Sequence, residues 1–286
     1  MTNFYCITDA GYKDSWKRCA PLEEVCKKRR IKFIKVVAED FDYLADKPKR
    51  GSLIYRATPG DRSRVVEKHI LNSSIASFYT NYKFGIYDRG SKSFIYNEKA
   101  NLPSIKTIHD VSNREKLVDY ADSLGGFPVI VKILGGTHGI GVIRVDSKES
   151  LLSLADFLNK EGIYAIMRQY IKHRKQARLV VLGNEVIASH INFSSFDFRT
   201  NVGKNIHRKR ESFVFPKKIQ DIAIKAVKSC ELEFGGVDIL FEEETNEPHI
   251  AEINFPFYFP TTQKLTGVDI AGKMIDYLME KSKKQK

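Results

Sequence analysis

Residues 235–254 read GGVDILFEEETNEPHIAEIN, two apolar runs on either side of an acidic, turn-forming centre. The segment Thr245-Asn246-Glu247-Pro248 between strand-forming runs predicts an antiparallel hairpin. Alternate residues of a strand share a face, which places Glu252 and Asn254 on one side together with Ile250. Centring the hairpin near Thr245 sets Asp238 directly across from Glu252. Three oxygen-bearing side chains then project from one patch of sheet. Two carboxylates that close repel unless a cation lies between them, and hard oxygen donors favour magnesium over zinc. Acids at a strand end that simply face water are the competing reading of the hairpin alone.

A second unusual stretch lies upstream. Residues 129–145, VIVKILGGTHGIGVIRV, hold Gly135, Gly136, Gly139 and Gly141 between two apolar runs, with Lys132 just before them. Glycine loses more conformational entropy on ordering than any other residue, so such a cluster implies close approach of backbone to something. Successive N–H groups of a glycine-rich turn form a concave nest for phosphate oxygens, and Lys132 adds a point charge. The G-x-x-x-x-G-K-[ST] pattern and the third glycine of a dinucleotide fingerprint are both absent. Alone, the loop is equally a plain mobile hairpin. Phosphate nest, lysine and magnesium carboxylates together describe a nucleoside-triphosphate site.

The remainder of the chain sets the frame. Its 286 residues suit two to three lobes, and its 42% hydrophobic and 29% charged composition is that of a globular protein. No apolar run approaches the roughly 18 residues of a membrane span, and the start MTNFYCITDAGYKD lacks a signal peptide's basic and apolar regions. A cytoplasmic protein without membrane association is expected. Cys6, Cys19, Cys26 and Cys230 form no C-x-x-C pair, so reduced thiols are expected rather than zinc or disulfides. The net charge of +12 favours anionic partners, part of it in the tail KSKKQK, which is expected to be disordered. No nucleic-acid-binding module is recognisable, so no nucleic-acid partner is expected.

Residues up to about Tyr79 alternate strand-like runs (NFYCIT, IKFIKVVAE, SLIYRA) with helical ones (PLEEVCKKRR, and DRSRVVEKHILNSSIASFY read as one helix), the pattern of a small parallel sheet. Residues 80–103 carry no assignable pattern, and Pro103 opens a new strand. From there paired strands outnumber crossovers, predicting antiparallel sheet with helices on one side. Ile219, Ile222, Ala223, Ala226, Val227 and Cys230 recur at helical spacing, and VDIAGKMIDYLMEK reads as a closing helix.

The blocks FPVIVKILGGTHGIGV, IMRQYIK, RLVVLGNEVIA, DFRTN, GGVDIL, AEIN and GVDIAGKMI, in this order over roughly residues 100–280, resemble the RimK-type ATP-grasp ligases. The resemblance implies an α+β ATP-grasp fold, two lobes clasping ATP, after a small Rossmann-like α/β pre-ATP-grasp domain. The expected divisions are residues 1–80, 81–175 and 176–286. It implies ATP-dependent joining of a carboxylate to an amine through an acyl phosphate, adding an amino acid to a peptide, protein end or small acidic substrate that supplies the carboxylate. Lys132 and the loop Gly135 to Gly141 would hold the phosphates. The backbone at Gln169, Tyr170 and Ile171 would meet the adenine edge. Asp238, Glu252 and Asn254 would hold magnesium or manganese. Arg178, with Arg199 and Asn201 of DFRTN, would face the phosphate and the developing oxyanion. An earlier lysine, Lys92 or Lys83, would reach the nucleotide, and relatives commonly assemble into homo-oligomers.

Departures are visible. Gln169 stands where relatives usually carry an acid, Gln176 where they place an Asp for the ribose, and FPFYFP (residues 255–260) replaces a small turn. Those aromatics either reshape the acceptor pocket or pack a hinge. The basic run GKNIHRKRE, residues 203–211, either recognises an acidic substrate or is a solvated loop. Arg56, Arg62 and Arg64 raise the same question, and His138 and His207 are within reach as a base. Two alternatives to amino-acid addition stand: a macrocyclising peptide-modifying enzyme, and an inactive nucleotide-binding relative with a regulatory role.

Overall fold

Short apolar runs buried on both faces organise the N-terminal part. Strands β1 (Asn3–Thr8), β2 (Lys32–Val37) and β3 (Leu53–Arg56) form a parallel sheet in the order β2-β1-β3, joined through helix α1 (Ser15–Lys28) and followed by α2 (Asp61–Ile70). The computed structural model describes residues 2–82, 91–134, 140–193 and 209–285, with the backbone alone at 91–92. Phe4, Cys6, Leu53 and Tyr55 face one side of the sheet, and Ile7 and Ile54 pack with Val66 and Ile70 of α2 on the other. Both faces are covered, as parallel sheet requires. The helix expected to run to Tyr79 ends at Ile70, because Asn72 Oδ1 accepts from the Ser74 N–H and hydroxyl at 2.9 and 2.7 Å and turns the chain. Residue Ala76 then pairs with the edge of β3.

The middle of the chain adds α3 (Ser91–Lys99), in the region without a sequence pattern, then β4 (Thr107–Ile108), α4 (Leu117–Ser123), β5 (Val129–Ile133), β6 (Val142–Val145), α5 (Lys148–Lys160) and β7 (Ala165–Gln169). The strands form an antiparallel sheet, β4-β7-β5-β6, over a core that includes Leu117, Val131, Leu151 and Leu158. The last part contains β8 (His173–Leu182), β9 (Glu185–Phe193), β10 (Arg210–Ser212), α6 (Lys217–Ser229), β11 (Phe234–Glu242), β12 (Pro248–Asn254), α7 (Pro260–Thr266) and α8 (Ile270–Lys284). Its antiparallel sheet runs β10-β9-β8-β11-β12. The amphipathic stripe of α6 is buried as its spacing predicts, with Ile222 only partly covered.

The first and last parts share one core. Phe4, Leu22 and Tyr55 belong to the same apolar cluster as Val227, Phe234 and Leu278. Arg29 pairs with Asp276 through both its Nε and Nη2 at 2.6 and 2.7 Å. The lysine-rich tail is not disordered through Lys284: α8 continues into it, and Lys281 binds the carbonyls of Ser77 and Tyr79 and the Glu233 carboxylate. Of the three arginines singled out in the sequence, Arg56 is buried against Glu67, while Arg62 pairs with Glu39 and Arg64 with Asp61. All four cysteines are buried free thiols. No described helix is long and apolar enough to cross a membrane.

The N-terminus of α2, where an open α/β sheet often takes a phosphate, is filled by the protein itself. Asp9 accepts from the Gly60 and Ser63 N–H groups, each at 3.0 Å, and from the hydroxyls of Thr58 and Ser63 at 2.6 and 2.7 Å. Burial works against its charge, but those donors hold the carboxyl below its ordinary range. Asp9→Ala is expected to destabilise the fold by about 2 kcal/mol at pH 7, towards the low end for charge-assisted bonds because the carboxylate is part-solvated. Because the native value is depressed, this contribution is present above pH ~4 and disappears as pH falls through the lowered value. Chemical denaturation of wild type and variant at both ends of that range checks it.

Candidate active site

The register of the five-stranded sheet aligns four polar side chains across four strands. His190 of β9 lies opposite Arg178 of β8, Arg178 opposite Asp238 of β11, and Asp238 opposite Glu252 of β12. The sequence places Asp238 across from Glu252, as found, but its simple alternation fails at the next residue. Asp238 faces Glu252 while Ile239 faces Ile250, so Ala251 is an extra residue in β12. This bulge sends Ile250 to the buried face with Ile239 and leaves Glu252 on the polar face. The expectation that Ile250 shares a face with Glu252 is therefore corrected.

Arg178 engages Asp238 through a planar fork, Nε to Oδ1 at 2.6 Å and Nη2 to Oδ2 at 2.5 Å. Asn254 Nδ2 donates to Asp238 Oδ2 at 3.4 Å. Burial pushes the Asp238 carboxyl above its ordinary range, and Arg178 pulls it back only in part. Lys132 of β5 crosses from the other lobe and places Nζ 3.8 Å from Glu252 Oε1. The bulge also has a partner there. Arg168 of β7 donates from Nη1 to the Ala251 carbonyl at 3.1 Å and from Nε to Thr107 Oγ1 at 3.2 Å, with its guanidinium 4.2 Å from the Phe94 ring centroid. Burial lowers its pKa to about 10, against the pull of Glu252. Three cations, Lys132, Arg168 and Arg178, thus surround two carboxylates, leaving a net positive wall suited to a polyanion.

The next row of the same face holds Asn192, Gln176 and Leu240. Gln176 Oε1, Asn192 Oδ1 and His190 Nδ1 are buried without a hydrogen-bond partner among the described residues. Burial, then Arg178 and Arg210, lowers the His190 pKa to about 4, which keeps the ring neutral at pH 7. His190, Asn192 and Arg168 escape a sequence reading: strand alternation marks their face, but only the register shows what stands opposite. Beside this row Leu240 joins Ile105 and Ile171 in a small apolar cluster with Ala251. The adjoining segment is partly engaged, because the Gln169 N–H donates to the Lys106 carbonyl at 3.0 Å and Tyr170 lies under Arg144.

Gly141 closes the glycine loop at φ 81°, with its carbonyl accepting from the Ile133 N–H at 2.8 Å. Gly135, Gly136, His138, Gly139, Arg199, Asn201, His207, Lys83 and the side chain of Lys92 lie outside the described residues, as does the run 203–208. In FPFYFP, Phe255, Phe257 and Phe259 are buried, in line with hinge packing, whereas Tyr258 is partly exposed. Gly236 makes room for Phe257, since a Cβ there would lie 2.3 Å from its ring. The Phe257 N–H and carbonyl are both bonded by the Tyr55 hydroxyl at 3.2 Å.

Residues 90–278 match the model of the RimK-like ATP-grasp domain. The chain belongs to the RimK-like ATP-grasp family. It is 31% identical over 193 residues to the ribosomal protein bS6–L-glutamate ligase of Escherichia fergusonii, a match covering 66% of this chain and 61% of that protein. The chain thus matches about three fifths of such relatives' length. Its fold resembles that of the ATP-grasp ligase PsnB complexed with minimal precursor, Mg and ADP, with TM-score 0.72, 14% identity and coverage of 98% of each chain. It likewise resembles the D-alanine–D-alanine ligase of Bacillus anthracis complexed with ATP, with TM-score 0.71, 16% identity and coverage of 98% of that chain and 99% of this one. These likenesses establish the ATP-grasp fold of this family member.

Removing Arg178 leaves the Asp238 carboxylate buried without its fork. Arg178→Ala is expected to lose about 3–5 kcal/mol of stability at pH 7. A raised native pKa means that the variant's deficit grows as pH rises from ~4, so it is smallest in acid. Arg178→Ala/Asp238→Asn is expected to recover most of the loss. Urea denaturation of the three proteins at pH 4.5 and 7.5 checks both statements.

Proposed function

We propose that the chain is an ATP-dependent carboxylate–amine ligase. The observation that carries this reading is the row His190, Arg178, Asp238 and Glu252 with Lys132 facing its acidic end. Asp238 and Glu252, with the amide oxygen of Asn254, are hard oxygen donors, and a buried carboxyl pushed up by desolvation is one that a divalent cation would satisfy. These residues fit magnesium, or manganese, which when bound neutralises phosphate oxygens.

Lys132, just before the glycine-rich stretch, binds the phosphates. The apolar cluster of Ile105, Ile171 and Leu240 floors the base beside the backbone of Gln169 to Ile171. Gln176 Oε1, a buried acceptor, takes a ribose hydroxyl in place of the relatives' Asp. A substrate carboxylate oxygen attacks the γ-phosphorus and ADP leaves. The amine nitrogen then attacks the carbonyl carbon, the C–N bond forms, and phosphate departs with the C–O bond pair and takes up the proton the nitrogen loses. Arg178, together with Arg199 and Asn201, binds the oxygen that becomes negative in that step. The amine substrate is an amino acid, and the acceptor a peptide, protein end or small acid. Likeness to a relative named for adding L-glutamate to a ribosomal protein supports glutamate as the first candidate. Four buried free thiols accord with the reducing cytoplasm.

The test is ADP release with ATP, magnesium and pools of amino acids and acidic peptides, for wild type and Glu252→Ala. Turnover requiring both a carboxylate and an amine is expected, reduced at least about a hundredfold in the variant. ATP binding without turnover in any pool would favour an inactive relative. No ATP binding would sink the ligase reading.

A further inference from the structure

The three phenylalanines of FPFYFP point inward, but Tyr258 does something else. Its ring lies against the guanidinium of Arg18, 4.8 Å from centroid to Cζ, and Tyr12 supplies a second ring at 5.5 Å. Arg18 is only 9% exposed, so its charge is largely removed from water. Nη1 donates to the Ala57 carbonyl at 3.2 Å, while the Nε–H is buried without a partner. The acids nearby are engaged elsewhere: Asp14 pairs with Lys17 at 2.9 Å, Asp9 caps α2, and Glu39 takes the Ala10 N–H and Arg62. Among the described residues, no carboxylate forms an ion pair with Arg18. Buried charges are normally paired, and stacking on aromatic rings compensates only part of the lost hydration.

The place of Arg18 in the fold matters as much as its chemistry. It sits on α1 beside Ala57, which directly follows β3, so it lies at the carboxyl ends of the parallel strands where open α/β sheets take ligands. Tyr258 is the fourth residue after Asn254, and the intervening Phe257 ring lies 5.9 Å from the Arg178 guanidinium. The segment that follows Asn254 therefore touches Arg178 through Phe257 and Arg18 through Tyr258.

We propose that Arg18, flanked by Tyr12 and Tyr258, is the subsite for the carboxylate of the amine-bearing substrate. That substrate is an amino acid, or a peptide end that carries a free carboxylate. The planar guanidinium suits a carboxylate, and the tyrosine rings in contact with it hold it in place. The proposal rests on the ligase reading of the same site and adds the recognition of its second substrate.

The chain's only tryptophan, Trp16, is 64% exposed on α1 two residues from Arg18, and its fluorescence reports binding without turnover. The full chain is titrated with L-glutamate, L-aspartate, L-lysine and glycylglycine, and with the carboxamide of each at its main-chain carboxylate. At least one free acid is expected to saturate the signal at least about tenfold more tightly than its carboxamide, the worth of one charge-assisted bond. Arg18→Met is expected to erase that preference, Arg18→Lys to keep part of it, and neither to change binding of a fluorescent ATP analogue. Equal binding of every acid and its carboxamide, or a preference unchanged in Arg18→Met, would overturn the proposal and leave Arg18 a staple between α1 and FPFYFP. The comparison of acid with carboxamide uses wild type, so it decides even where a variant does not fold. Loss of ATP binding with an intact acid preference would strike the ligase reading alone.

Discussion

Two carboxylates, Asp238 and Glu252, face each other on neighbouring strands, and much of the molecule is arranged around their mutual repulsion. Each is answered by a cation from a different direction. Arg178 reaches Asp238 from within the same sheet, and Lys132 approaches Glu252 from the other lobe. The bulge at Ala251 is part of the same solution, because it turns Glu252 towards the polar face while Ile250 stays in the core. Bulges leave a ladder group unpaired. Here the carbonyl of Ala251 is taken by Arg168, so the lobe that carries Lys132 also braces the backbone beside Glu252.

The N-terminal sheet is joined to this arrangement by packing. Residues 90–278 carry the family match, yet the sheet before them shares one apolar cluster with the five-stranded sheet. Tyr55 shows the coupling most directly: it is a β3 residue whose hydroxyl holds both backbone groups of Phe257, under Arg178. Asp9 fills the end of α2 where open α/β sheets often take a phosphate, and Arg18 with its two tyrosines lies at the same carboxyl ends of the strands.

Much of this was legible in the linear chain. The hairpin of residues 235–254, the amphipathic stripe of α6 and the parallel N-terminal unit follow from period-2 and period-3.6 patterns, which depend on local geometry. Local patterns misled where a single side chain overrode them. Asn72 stopped a helix whose apolar spacing continued, and Lys281 anchored a tail whose charge suggested disorder.

By itself the sequence determined which residues are candidates for the chemistry, since carboxylates, lysine and glycine cluster at spacings that only a few local structures explain. Asp238 across from Glu252 follows from turn position alone. Only the tertiary structure decided what those groups face. That His190 lies opposite Arg178, that Arg168 reaches the bulge, and that Tyr258 turns outward onto Arg18 are pairings between distant segments. They are set by strand register and by the packing of one lobe on another, and neither leaves a periodic trace in the chain.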